Sequence, residues 1–243
     1  MYKSKIALSM IVKNNEEVDS LKRCLDSVAP FVDGIYLTVT QEPYDKLQQL
    51  ARQYGANLDI RPKEFNHVVA KEEIKWLKKY LGYKPSLKAG DSLFLFGKAR
   101  NAAMDFIPDE YDWMLWIDVD AVLLNGQNLK STADDALARG SEAVFLNYLY
   151  QVEFDENQNI KNVIIQHLRE RLVRIKGDYR KVFKWIGNIH ETLIQQRETK
   201  KDENKEIEIV EKSPDMWDQI ISAIARALVR KERRDALFIQ EKI

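Results

Sequence analysis

The chain has 243 residues, 45% of them hydrophobic and 31% charged, enough to bury the core of one domain of ordinary size. Its 38 basic and 38 acidic side chains cancel, which excludes an overall field drawing it to nucleic acid or to an anionic membrane. Cys24 is the only cysteine, which excludes an intramolecular disulfide and a cysteine-rich zinc centre. With no signal-peptide pattern and no apolar stretch of bilayer-spanning length, the expected compartment is the cytoplasm.

Ile6 to Val12 is a nearly continuous apolar run, as expected of a parallel strand covered on both faces. Asn15 then stands at a helix-cap position, Glu16 and Glu17 suit a first turn, and Val18, Leu21, Leu25 and Val28 follow at helical spacing. A second strand-helix unit follows. Gly34 to Thr40 is its strand, Pro43 its first helical position, Leu47, Leu50 and Tyr54 its buried face, and Gly55 its end. Asn57 to Ile60 reads as a third strand. Residues 63–97 break the alternation: Ile74, Leu77 and Leu81 predict an amphipathic helix, and Gly82 to Gly97 a loop, together an insertion suited to a lid or an acceptor contact.

Ala99 to Phe106 predicts a short helix, Trp113 to Asp120 a strand with its acidic end, Asn128 to Arg139 a helix and Ala143 to Tyr150 an apolar strand. Beyond Tyr150 the texture turns to short strands: Gln151 to Phe154, a turn at Asp155 to Asn159, then Val163 to Ile175 in one or two pieces. Glu198 to Lys205 reads as a solvated loop and Glu206 to Val210 as an edge strand. Ser213 to Ile243 predicts a final amphipathic helix with an apolar stripe of Trp217, Ile220, Ile221, Ile224 and Leu228 and many basic residues. It suits docking on the domain, a peripheral membrane contact or a protein partner.

The chemistry concentrates at Asp118-Val119-Asp120. In an extended segment residues two apart point the same way, so both carboxylates can address one hard cation. Mg2+ or Mn2+ is held by few carboxylates and completes its shell with water and phosphate oxygens. The competing reading makes them ordinary turn or cap residues. Context favours the ion, because the ends of three strands, at Val12-Lys13-Asn14, Thr38-Val39-Thr40 and Asp118-Val119-Asp120, fall where open α/β sheets bind ligands. G-x-G-x-x-G and the phosphate loop are both absent, so a dinucleotide oxidoreductase or P-loop ATPase loses its main support. Arg100 and Asn101, one short helix before the acidic strand, suit a phosphate or ribose. Trp185-Ile186-Gly187-Asn188-Ile189-His190-Glu191 combines a metal ligand type, a base type and an aromatic wall.

Taken together, three blocks resemble the metal-dependent, inverting glycosyltransferases of the family 2 type, which have the GT-A fold and use nucleotide-sugar donors. They are Leu8 to Asn14 with Glu16 and Leu21 to Val28; Ala99-Arg100-Asn101-Ala102-Ala103 with Trp113 to Asp120; and Trp185 to Leu193. The resemblance covers roughly residues 5 to 195. It implies an α/β chain with a Rossmann-like, mostly parallel central sheet flanked by helices, a C-terminal α+β portion and the terminal helix. Residues 1–211 would form the catalytic domain, with a donor half at about 1–125 and an acceptor half at about 126–211, followed by the helix of 212–243.

The resemblance also implies a site. Val12, Asn14, Glu16, Thr40, Gln41, Arg100, Asn101, Asp118 and Trp185 would contact the donor, Asp120 and His190 would bind Mn2+ or Mg2+, and Asp118 would touch ribose or metal. Glu191 is the implied base, with Asp118 or a residue of the insertion as alternatives. One departure stands out. Family members usually carry an Asp after the second strand, where this chain reads Thr38-Val39-Thr40-Gln41-Glu42-Pro43, which weakens the expectation of a UDP-linked donor and turns attention to Thr40 or Gln41 as the base contact. A nucleotidyltransferase on a similar sheet is the second reading, although it would carry a glycine-rich loop after the first strand. A non-catalytic module acting through Ser213 to Ile243 is the third. The acceptor is not readable, and no nucleic-acid partner is expected.

Overall fold

The computed structural model describes residues 4–81, 87–157, 159–186, 192–197 and 201–211. Two strand-helix units and a third strand come first: β1 (Ile6–Val12), α1 (Val18–Val28), β2 (Gly34–Val39), α2 (Asp45–Gln53) and β3 (Asn57–Ile60). The insertion contains β4 (Asn66–Val68), α3 (Lys71–Leu81) and β5 (Ser92–Phe94), and leads into α4 (Phe96–Asp105). Then come β6 (Trp113–Trp116), β7 (Ala121–Leu124), α5 (Leu129–Ala138), the long ribbon β8 (Ala143–Phe154) and β9 (Ile160–Arg174), the hairpin β10 (Phe183–Ile186) and β11 (Thr192–Gln195), and β12 (Lys201–Glu211).

Eight of these strands form the central sheet, in the order β3-β2-β1-β6-β9-β8-β12-β7. From β3 to β6 all neighbours run parallel. β9 is antiparallel to both of its neighbours, and β12 is parallel to β8 and antiparallel to β7. This is the α/β class expected, with a mostly parallel sheet flanked by helices.

Alternation along the strands assigns the two faces. Leu8 and Met10 of β1 and Trp113 and Leu115 of β6 enter one core with Leu21, Leu25, Leu47, Leu129 and Ala133 of α1, α2 and α5. Ala7, Met114 and Trp116 face the other way, onto Met104 of α4 and Phe183 and Trp185 of β10. The insertion has a small core of its own, Val69, Leu77 and Leu87. No helix among the described residues is long and apolar enough to cross a membrane.

Several boundaries differ from the sequence expectation. Lys201 to Lys205 is not a loop. It is the first half of β12, with Lys201 to Asn204 paired to Ala143 to Leu146, and β12 is an interior strand between β8 and β7 rather than an edge. Pro43 lies two residues before α2. Asn15 does not cap α1: Asn14 caps a single 3-10 turn at Asn15–Glu17, with its Oδ1 accepting from Glu16 N at 3.0 Å. The Asn15 side chain serves α2 instead, where its Oδ1 accepts from Lys46 N at 3.0 Å and Leu47 N at 3.3 Å, satisfying amides that a helix start leaves open. The predicted terminal helix of Ser213 to Ile243 lies outside the described residues.

Gly34 opens β2 against the ring of Tyr111, and a Cβ there would meet its Cζ at 2.7 Å. Tyr111 is buried and stacks edge-on against Tyr36, so the ring has little room to yield. Gly34→Ala is expected to lower stability by about 1–3 kcal/mol, read as a shift in the urea midpoint. An unchanged midpoint would show that the ring yields after all.

Candidate functional site

In the sheet order β1 has β2 and β3 on one side and β6 on the other. The chain therefore reverses its direction of winding between β1 and β6, and ligands of open α/β sheets bind outside the carboxyl ends of the strands at such a reversal. A cleft of about 270 Å3 opens there, lined by Ile11, Val12, Lys13, Glu17, Thr40, Gln41, Phe94, Phe96, Arg100, Asp118 and Val119. Val12, Thr40, Gln41, Arg100 and Asp118 of the residues singled out by sequence thus meet in one place.

The β1 and β2 walls are held by backbone pairing that continues past the strands. Thr40 N and Oγ1 both donate to Val12 O, at 2.9 and 3.2 Å, and Gln41 N donates to Lys13 O at 2.8 Å. Within the 3-10 turn successive side chains diverge, and this decides which glutamate faces the cleft. Glu16 points outward, with its side chain 70% exposed and paired to Lys13 Nζ at 2.7 Å. Glu17 turns inward, its Oε2 accepting from Lys13 N at 2.6 Å. Asn14 is spent on capping the turn and on a 3.4 Å bond to Glu42 O.

Asp118 lies two residues beyond β6. Its Oδ1 accepts from Arg100 Nη2 at 2.6 Å, and its Oδ2 from Arg171 Nη1 and Nη2 at 3.3 and 3.4 Å. Burial alone would push this carboxyl up. The two guanidinium charges and their hydrogen bonds outweigh it and hold the pKa at about 2.

Arg100 is backed by aromatic faces, its guanidinium carbon 4.9 Å from the Trp116 ring centroid and 5.2 Å from that of Trp185. The two indoles meet edge-on at 4.5 Å. Asn101 fixes this wall by a reciprocal pair: its Nδ2 donates to Trp185 O and its Oδ1 accepts from Trp185 N, each at 2.9 Å. Asn101 and Trp185 therefore stand behind Arg100 and do not line the cleft. Asn101→Ala would orphan both backbone groups of a buried residue, at an expected cost of about 1–3 kcal/mol. Urea unfolding measures it, and a loss under about 0.5 kcal/mol would mean that water replaces the amide.

Asp118 and Asp120 do not share the extended segment that strand alternation assumes. Val119 and Asp120 fall in a turn, with Ala121 N donating to Asp118 O at 3.1 Å. Asp120 is half-buried and lies outside the cleft lining. Its pKa is raised by burial and then by the Asp118 charge. Glu17 is also raised, first by burial, with the Asp120 charge adding to it and the Lys13 amide opposing. Among the described residues no group of three or more His, Cys, Asp or Glu side chains is arranged to hold a metal ion. His190 and Glu191 lie outside the described residues; β10 and β11 on either side of them pair antiparallel.

Sequence reading missed Glu17, Arg171, Phe94 and Phe96. Glu17 was one residue away from the choice made. Arg171 offered only a faint signal, a charge directly before the apolar Leu172-Val173. Phe94 ends β5 and Phe96 begins α4, at the close of the insertion suited by sequence to a lid or an acceptor contact.

No family model matches the chain, and no curated protein matches it by sequence. Solved structures similar to it include 4-diphosphocytidyl-2C-methyl-D-erythritol synthase from Anaerococcus prevotii, at 12% identity and a TM-score of 0.44, covering 93% of this chain and 96% of that one. Residues 1–349 of S. aureus TarS are similar at 14% identity and a TM-score of 0.42, covering 93% and 66%. Glucosyl-3-phosphoglycerate synthase from Mycobacterium tuberculosis, solved with Mn2+, UDP and glucosyl-3-phosphoglycerate, is similar at 16% identity and a TM-score of 0.35, covering 61% and 44%. This chain thus spans 66% and 44% of the latter two.

Proposed function

We propose that the chain is a glycosyltransferase that moves a sugar from a nucleotide-diphosphate donor to a hydroxyl acceptor in one inverting displacement, with Mn2+ or Mg2+ held at Asp120. The cleft carries this reading. It opens at the reversal of strand order, with the Arg100-Asp118 pair in its lining and neutral Thr40 and Gln41 on its β2 wall. The resemblance of the Arg100-Asn101, Asp118-Val119-Asp120 and Trp185 to Leu193 blocks to GT-A enzymes of the family 2 type supports the same reading.

Asp120 and Glu17 suit a divalent ion on chemical grounds. Both carboxylates are disfavoured in their charged forms as they stand, and one or two carboxylates suffice for Mg2+ when water and substrate oxygens complete the shell. His190 is the further candidate ligand. When bound, the ion neutralises charge on the departing diphosphate.

Arg100 is the diphosphate or ribose contact, and Asp118 fixes its direction. A carboxylate paired to two guanidiniums is a poor proton acceptor, so the base is assigned to Glu191. It takes the acceptor hydroxyl's proton as that oxygen bonds to the anomeric carbon and the bond to the diphosphate oxygen breaks. The β2 wall offers the Gln41 amide where a carboxylate would favour uracil, so the donor class is a nucleoside diphosphate sugar, with the UDP-linked expectation weakened.

A thermal-shift screen of UDP-, CDP-, GDP- and ADP-sugars with and without Mn2+ tests the proposal. A metal-dependent rise with at least one donor is expected. The proposal fails if no donor shifts the wild type and Asp120→Ala changes nothing. Pyrophosphate release from a nucleoside triphosphate and a sugar phosphate would favour a nucleotidyltransferase, against which the glycine-free turn of Lys13 to Glu17 speaks.

A further inference from the structure

We infer that Arg171 is a positioning residue of the cleft, which acts through Asp118 to hold the Arg100 guanidinium in place and which the fold itself does not need. The inference rests on the proposed donor site but begins from packing. Arg171 is 2% exposed, in β9, 53 residues downstream of Asp118. Its guanidinium carbon lies 3.7 Å from the Trp116 ring centroid and 4.3 Å from that of Tyr148, between two aromatic faces. Its Nε is buried with no hydrogen-bond partner among the described residues, and its bonds to Asp118 and to Trp116 O are long, at 3.3 to 3.5 Å.

This is an expensive way to fill an apolar slot. Taking a guanidinium out of water costs several kcal/mol, and long bonds with an orphan donor return little of it. A methionine would occupy the same space between the rings at no such cost. Nor is Arg171 required for charge balance. Asp118 already has Arg100 at 2.6 Å, so the three groups together carry one excess positive charge and removing Arg171 leaves a neutral pair.

What Arg171 alone provides is a grip on the second carboxylate oxygen. With Oδ1 on Arg100 at 2.6 Å and both Arg171 Nη atoms on Oδ2 at 3.3 and 3.4 Å the carboxylate is contacted at both oxygens, which opposes its rotation and so favours one orientation of Arg100, stacked on Trp116 and Trp185 at the cleft. The excess charge also sits beneath the place proposed for a diphosphate. Both effects favour an anionic ligand, and neither favours folding.

The test compares Arg171→Met and Arg171→Lys with the wild type by three readouts: melting temperature, the dissociation constant of UDP with Mn2+, and nitrogen-15 NMR of the Arg100 guanidinium in ligand-free protein. Arg171→Met is expected to melt at or above the wild-type temperature. It should bind UDP with Mn2+ at least about tenfold more weakly, the scale of one charge-assisted hydrogen bond. Its Arg100 signals should show fast rotation where the wild type shows slow rotation. Arg171→Lys, which keeps the charge and loses the two-point grip, should recover part of the binding. Unchanged Arg100 signals overturn the inference, as does an early-melting Arg171→Met variant whose folded fraction binds normally. If the wild type does not bind UDP with Mn2+ while Arg100 still responds, the positioning role stands, and the donor reading falls only if the CDP-, GDP- and ADP-sugars fail as well.

Discussion

Asp118→Ala is expected to destabilise the protein by about 3–5 kcal/mol, the cost of breaking a buried charge pair from one side. The lower end of that range applies, because the Asp118 side chain is itself 31% exposed. The loss arises because Arg100 and Arg171, both buried, would face each other without a counter-charge. Urea unfolding at neutral pH gives the number, and a loss under about 1 kcal/mol would mean that water or a neighbouring carboxylate takes over. Adding Arg171→Met to Asp118→Ala should recover much of the loss, since one of the two orphaned charges is then gone.

The pH dependence follows with a definite sign. The folded pKa of Asp118, about 2, lies below the ordinary 3.8. Its contribution is therefore complete above about pH 4 and disappears as the pH falls through about 2. The wild type should lose stability across that interval, and Asp118→Asn should lack that part of the slope.

Asp120 should behave in the opposite way. Its folded pKa is raised, by burial and by the Asp118 charge, so the ionised side chain is a liability at neutral pH and the liability is relieved as the pH falls through the folded pKa. Asp120→Asn is expected to melt higher than the wild type at pH 7, with the difference closing in acid. The same substitution should reduce donor turnover by about 100- to 1000-fold, the scale on which removing one preorganised electrostatic group acts. A variant that melts lower at pH 7 would contradict the electrostatic account. Full turnover would remove Asp120 from the proposed metal site.

Local pattern was enough to read the first strand-helix unit and one later turn. The apolar run of β1, the spacing of Leu21, Leu25 and Val28, and the turn at Asp155, whose Oδ1 accepts from Asn157 N and Asn159 N at 2.9 and 2.8 Å, each report on their own neighbourhood. β12 shows where this ends. Its charged half looks like a solvated loop because nothing within Lys201 to Lys205 reveals that β8 will pair with it, and long-range pairing overrides local propensity.

The site divides in the same way. Asp118 was legible from the strand before it, and Arg100 from its nearness in sequence. The role of Asp118 was not, because it depends on Arg171, which arrives from a distant strand. Asn15 was legible as a cap, but the helix it caps is the wrong neighbour in sequence and the right one in space.

Asn15 has a mechanical consequence. Its backbone N–H donates to Pro43 O at 2.8 Å, its Nδ2 to Asp45 at 2.6 Å, and its Oδ1 closes the first turn of α2. The loop leaving β1 and the loop leaving β2 are thereby welded into a single corner, and neither can swing without unwinding the start of a helix. The aperture on that side is fixed. The opposite side of the cleft is tied by no such corner: Phe94, at the end of the insertion, meets Phe96 edge-on at 4.7 Å and Phe65 at 6.3 Å, aromatic contacts in place of a capped helix start.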